Sequence, residues 1–117
     1  MAPVVGTSKE GLREMVMMRW GFPPAGGGKQ PVTNVRNLNS SYWRGWLEQP
    51  RFRCLVPATS FVEYTDTSPK VAHWFALGDE RPLFCFAGIS RPWTGVRGKE
   101  AGTPLLFSFL PTAPTDL

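Results

Sequence analysis

The sequence predicts a mainly β (α+β) fold, a compact arrangement of β-hairpins with one or two short helices. Three observations carry this. From Phe52 onward, short apolar and aromatic runs alternate with turn-forming residues. Glu14 to Trp20 is a nearly continuous apolar run of strand length. Helical spacing appears at Tyr42/Trp46 and Trp43/Leu47, four residues apart in each pair. The 117 residues, 42% of them hydrophobic, suit one packed core and argue against disorder.

Glu14 to Trp20 reads as a strand covered on both sides, because its apolar residues do not alternate with polar ones. Phe22 to Pro31 is a turn-rich loop. Its three glycines beside Lys29 are not followed by the G-K-S/T of a phosphate-cradling loop, so that reading fails. Val32 to Arg36 is short and extended. Asn39 or Ser40 is placed to cap a helix from Ser41 to about Glu48, with Tyr42, Trp43 and Trp46 read as core and Pro50 as its end. Strands follow at Phe52 to Pro57, Phe61 to Thr65, His73 to Leu77, Leu83 to Ile89 and Pro104 to Leu110. Gly78 to Arg81 is read as a hairpin connection, and Arg91 to Gly102 as a longer basic loop. The chain runs almost at once into V-V-G-T and stops after P-T-A-P-T-D-L. Residues 1–117 are therefore expected to be one partial domain, incomplete at both termini. Exposed strand edges, with self-association as a consequence, are the corollary.

The net charge of +4 is uneven. Residues 1–53 hold eight Lys and Arg against three Glu, whereas the remainder holds five basic and six acidic residues. A basic half with interleaved Trp20, Trp43 and Trp46 suits a phosphate backbone with stacked bases; ordinary solubility charge accounts for it equally well. Cys54 and Cys85 lie in strand-like runs and are read as buried, reduced thiols. No Cys or His pair has metal-ligand spacing, so no metal and no cofactor are expected. No apolar run approaches the roughly 20 residues that span a bilayer, and no secretory signal is visible. Cytoplasmic residence is the expectation.

One carboxylate stands out. In S-F-V-E-Y-T-D-T (Ser60 to Thr67) the alternation of a strand puts Phe61, Glu63 and Thr65 on one face and Val62 and Tyr64 on the other. Either the Glu63 face meets solvent, or Glu63 is a partly buried acid of the kind proteins use to move protons. From the residues alone, Asn34 reads as a turn residue, Arg36 as a surface charge and Trp20 as core, and Glu63 reads equally as structural or functional.

Four pieces stand in order: R-W-G-F-P (Arg19 to Pro23), T-N-V-R-N (Thr33 to Asn37), R-C-L-V-P-A leading to F-V-E-Y (Arg53 to Tyr64), and L-L-F-S-F-L-P-T-A-P (Leu105 to Pro114). From about Met15 onward the chain thereby resembles the SRAP family, the SOS response-associated peptidase-like proteins that act on abasic sites in single-stranded DNA. The resemblance implies a mostly β fold around a basic cleft. It also implies an N-terminal cysteine whose amine and thiol condense with the abasic aldehyde to a thiazolidine, and autoproteolytic exposure of that cysteine. By position it makes Glu63 and Asn34 catalytic. It assigns Arg36 to a phosphate, Trp20 and Gly21 to the DNA cleft, and Thr112 to its neighbourhood. The implied partner is single-stranded DNA with abasic sites, met at the nucleoid, without membrane or metal.

The chain departs from the pattern at two points. The second residue is Ala2, not cysteine, and is out of register with the family's start, so the segment expected to carry the nucleophile does not appear; nor does the H-D-R-x-P-like segment that supplies the family's histidine. His73, in A-H-W-F-A-L, does not match that segment and is read as a partly buried strand residue. The expectation is a fragment of a cross-linking DNA-damage-response protein, itself without the nucleophile. The rivals are a non-catalytic single-stranded nucleic-acid-binding module and a β-rich interaction domain.

Overall fold

Strand residues whose neighbours alternate between wet and dry must turn their dry faces together. Here that requirement closes five strands on themselves. The computed structural model describes residues 1–24, 28–92, 95–97, 100–102 and 105–111, with backbone alone for 95–97 and 100–102. Its elements are β1 (Ala2–Thr7), β2 (Arg13–Trp20), α1 (Ser41–Leu47), a 3-10 turn (Pro50–Phe52), β3 (Arg53–Ala58), β4 (Phe61–Tyr64), β5 (Ala72–Phe75), β6 (Phe84–Pro92), β7 (Gly95–Arg97), β8 (Glu100–Gly102) and β9 (Leu105–Phe109). The order β1-β2-β9-β6-β3 forms a closed barrel, while β4-β5 and β7-β8 are separate two-stranded sheets. Within the barrel only the β2–β9 pairing is parallel.

Two apolar clusters hold this together. Val4, Met18, Cys54, Val56 and Phe107 form one, with Phe86 and Phe109 packed against it. Phe22, Val35, Trp43, Ile89 and Leu106 form the other, which ties α1 to the barrel. The helix begins where expected. Ser40 is the cap, its hydroxyl accepting from the Tyr42 N–H at 3.3 Å, while Asn37 accepts from the Asn39 N–H in the turn before it. Of the helix aromatics Trp43 is buried, Trp46 half-buried and Tyr42 exposed.

Several expectations are corrected. Ala2–Thr7 is a strand, paired with β2 from Ala2↔Met18 to Thr7↔Arg13, where the sequence reading had placed none. The β2 strand is covered on one face only: Met18 is buried, but Met15 and Met17 face outward. Gly78–Arg81 does turn, the Arg81 N–H donating to the Gly78 carbonyl at 3.0 Å. It is not a hairpin connection, because both edges of β6 are taken by β3 and β9 and β5 pairs with β4 instead. The expected loop at 91–102 contains the end of β6 and the β7–β8 pair. Among the described residues the terminal strands have neighbours on both sides, β1 between β2 and β3 and β9 between β2 and β6, although β1 meets β3 at Val5↔Leu55 alone and β2 meets β9 at Arg19 and Trp20 alone. No helix among the described residues is long and apolar enough to cross a membrane.

The tightest point lies at Gly88, where β6 passes between β3 and β9. A Cβ there would stand 2.8 Å from the Ser108 carbonyl oxygen and 3.0 Å from Cys54 Sγ. The first neighbour is backbone and cannot swing away. Gly88→Ala is therefore expected to lower the unfolding free energy by about 1–3 kcal/mol. Urea denaturation followed by tryptophan fluorescence checks this; an unchanged midpoint would contradict the close approach.

Candidate functional site at the barrel mouth

The site begins with a glycine. At Gly21 the chain adopts φ of 101°, a conformation that side-chain-bearing residues rarely take. The Gly21 N–H still donates to the Phe107 carbonyl at 2.7 Å, but beyond it the chain leaves the barrel. Thr33–Val35 takes over the vacated place beside β9: the Phe109 N–H donates to the Thr33 carbonyl (3.0 Å) and the Val35 N–H to the Phe109 carbonyl (2.8 Å). This exchange brings Trp20 and Asn34, fourteen positions apart in the sequence, to the same edge of β9 next to Phe109. The Trp20 indole N–H donates to the Thr33 carbonyl at 3.0 Å, and its ring lies 5.1 Å from that of Phe109. Trp20 remains 44% exposed, so it is a platform at the mouth and not core. Val35 is buried between a half-buried Asn34 and an exposed Arg36, which fits the shared outward face expected of those two.

From Trp20 a row of rings crosses the mouth. Phe109 meets Phe86 at 4.8 Å, and Phe86 meets Phe61 at 5.3 Å. Phe61 stacks on its cross-strand partner Phe75 at 5.2 Å. Phe61, Phe86 and Phe109 are each half-buried, and Phe86 and Phe109 pack against the barrel's interior cluster. The far end of the row leads to Glu63, two residues beyond Phe61 on the same face of β4. Glu63 is exposed, which decides between the two readings of its strand in favour of the solvent-facing one.

The structure thus brings Trp20, Gly21 and Asn34 together, with Arg36 adjacent, and links them through three ring contacts to the hairpin that carries Glu63. Thr112 lies outside the described residues. His73, read as partly buried and without a role, is exposed and sits directly opposite Glu63 in the β4–β5 register. The missing signal was the pairing of β4 with β5. Once the 65–71 connection is recognised as the turn of that hairpin, counting outward from it places positions 63 and 73 face to face. The three phenylalanines of the row were also missed, because each reads as ordinary core in its own strand. No group of three metal-ligating side chains is found among the described residues.

These features can be set beside known proteins. The family described as "SOS response associated peptidase (SRAP)" matches residues 1–114. A crystal structure of a protein from Bordetella bronchiseptica superposes with a TM-score of 0.60 at 16% identity, covering 94% of this chain and 56% of that one. One from Bacteroides thetaiotaomicron gives 0.54 at 21% identity, covering 92% and 48%. The chain therefore spans about half the length of these neighbours, and at such identities they show the fold alone. No curated protein matches.

The two thiols differ sharply. Cys54 is buried in the interior cluster, and burial pushes its thiol up to about 11 from 9.0, opposed only in part by a hydrogen bond with Ser90. Cys85 is exposed, contrary to expectation, because alternation along β6 turns Phe84 and Phe86 toward the rings and position 85 outward. Iodoacetamide at pH 8 is expected to modify Cys85 in the native protein and Cys54 only after unfolding, as peptide mass spectrometry will read. The protonated Cys54 thiol is the form the fold favours. Its contribution is complete below about pH 9 and is lost as pH rises through about 11. The urea midpoint should fall across that interval, and fall less steeply in Cys54→Ala.

Proposed function

Because the chain belongs to the SOS response associated peptidase (SRAP) family, we propose that its barrel mouth receives single-stranded DNA at an abasic site, as part of a DNA-damage-response protein. The row Trp20–Phe109–Phe86–Phe61 carries this reading. The rings are half-buried or exposed and tilted to one another by 49°, 37° and 79°, so bases that have lost their neighbours would meet separate ring surfaces and not one continuous face. Stacking of this kind contributes roughly 1–3 kcal/mol per base and is indifferent to sequence, as a lesion reader requires. Arg36 at one end has the planar fork that grips a phosphate. Asn34 beside it both donates and accepts, and so can hold a sugar hydroxyl or an amine without adding charge.

The chemistry proposed is that of an aldehyde. An abasic sugar in its ring-opened form presents a carbonyl carbon, and an amine adding to it forms a carbinolamine that loses water to an imine. The proton that the amine gives up and the proton that the departing hydroxyl takes must both be moved. Glu63 is the group assigned to this task, with His73 opposite it as a second acid–base side chain at the same register position. Ring closure by a thiol, which would make the adduct a thiazolidine, is assigned to no described residue of this chain.

Fluorescence anisotropy with a labelled oligonucleotide carrying an abasic site tests the reading. Trp20→Ala is expected to weaken binding by about 5- to 100-fold, the equivalent of one lost stack. Arg36→Ala should weaken it uniformly across sequences and reduce the salt slope by about 0.7. Glu63→Gln should spare affinity but slow borohydride-trappable imine formation when an amine nucleophile is supplied. Unchanged affinity in Trp20→Ala would refute a stacking platform. A parallel loss of affinity and trapping in Glu63→Gln would make Glu63 a structural residue.

A further inference from the structure

Between α1, the 3-10 turn and the end of β6 lies an open groove of about 490 Å³, lined by Trp46, Gln49, Arg51, Phe52, Arg91 and Pro92. None of the barrel-mouth row lines it. Its rings are already occupied by cations. The Arg91 guanidinium stands 4.2 Å from the Trp46 ring centre and 5.9 Å from that of Phe52, and the Arg51 guanidinium 4.6 Å from Phe52. Arg91 Nε–H donates to its neighbour's carbonyl, that of Pro92, at 3.2 Å, a bond that does not use its terminal nitrogens. Gln49 is likewise tied down, its side-chain amide donating to the Gly45 carbonyl at 2.8 Å.

Two permanently charged groups therefore share one aromatic wall, and among the described residues no carboxylate engages either of them. Like charges drawn to a common surface repel. An anion between them would reverse that term. Guanidinium forks match the paired oxygens of a phosphate, and a guanidinium held flat against a ring loses less freedom on binding than a free one. The groove's volume is that of a small-ligand site. Its parts come from two stretches of the chain, residues 45–52 and 91–92, so the placing of Arg91 against Trp46 and Phe52 is made by the fold and not by a local run of charge.

We propose that this groove is a second, separate binding site for a phosphate-bearing nucleotide, with Arg51 and Arg91 holding the phosphate and the apolar wall beside them taking the sugar. The phosphate could belong to a nucleic-acid strand or to a free nucleotide, and the test separates the two. The inference does not depend on the reading of the barrel mouth.

Titrations of ¹⁵N-labelled protein at low salt, with inorganic phosphate, thymidine 5′-monophosphate and an oligothymidylate of about eight nucleotides, would follow the Nε–H signals of Arg51 and Arg91 and the indole signals of Trp46 and Trp20. Saturable shifts of the first three signals are expected. A much tighter response to the oligonucleotide identifies a strand as the ligand; equal responses to oligonucleotide and monophosphate identify the free nucleotide. Arg91→Lys keeps the charge but loses the fork, and should weaken binding by about ten-fold; Arg51→Gln should do the same from an exposed position. If none of the three probes moves these signals saturably, or if the shifts survive Arg51→Gln, the proposal is overturned. Groove signals that respond while Trp20 stays silent toward the oligonucleotide would refute the stacking reading of the barrel mouth and leave this one standing.

Discussion

The strand β9 is the constraint on which the rest depends. In five residues it pairs parallel with β2, antiparallel with β6, and, through both backbone groups of Phe109, with the incoming Thr33–Val35 segment. Leu106, Phe107 and Ser108 are all buried. Leu106 sits in the cluster beneath α1 and Phe107 in the barrel interior, so this one strand enters both apolar clusters. Ser108 would be an expensive group to bury alone, but its hydroxyl donates to the Val32 carbonyl. That bond draws the loop before Asn34 against the barrel.

The position of the candidate site follows from this. One edge of β9 is shared by two partners in succession, β2 up to Trp20 and then the Thr33–Val35 segment, and Gly21 is the point of release. Any chain that swaps partners along one edge brings the end of the first partner next to the start of the second. Trp20 and Asn34 are those two ends. Their closeness is a topological result, and no local sequence signal announces it. Phe109, the residue at the swap, then offers its ring to Trp20 on one side and to Phe86 on the other.

This explains what was legible in the sequence. The helix at Ser41–Leu47 could be read because its cap and spacing are local. The strands around Cys54, Phe61 and Phe107 could be read because apolar runs bounded by turns are local too. Pairings were not legible. The Gly78–Arg81 turn looked like a hairpin because sequence shows a turn but not whether the strands it joins already have partners. The Ala2–Thr7 strand was missed because V-V-G-T is short, and the register that defines it is supplied by β2. At the site, the family pattern named Trp20, Asn34, Arg36 and Glu63, but the floor joining them is built of phenylalanines that no motif marks.

That floor also holds up what stands on it. A two-stranded hairpin in water is barely stable by itself, and the outer face of β4–β5 offers little help, since Trp74 and Tyr64 are largely exposed. What fastens the hairpin to the barrel is Phe61, through Phe84 and Phe86. The ring that ends the proposed stacking row is thus the same ring that fixes where Glu63 and His73 are held. At this end, the proposed surface for bases and the placement of the proposed acid–base pair would be one interaction and could not be tuned apart. At the other end they are less tightly joined, because the two backbone bonds of Phe109 hold the Thr33–Val35 segment and Trp20 adds one indole bond to the Thr33 carbonyl. A single row of rings accordingly has a structural end at Phe61 and an adjustable end at Trp20, and differences in what such a mouth accepts should arise at the adjustable one.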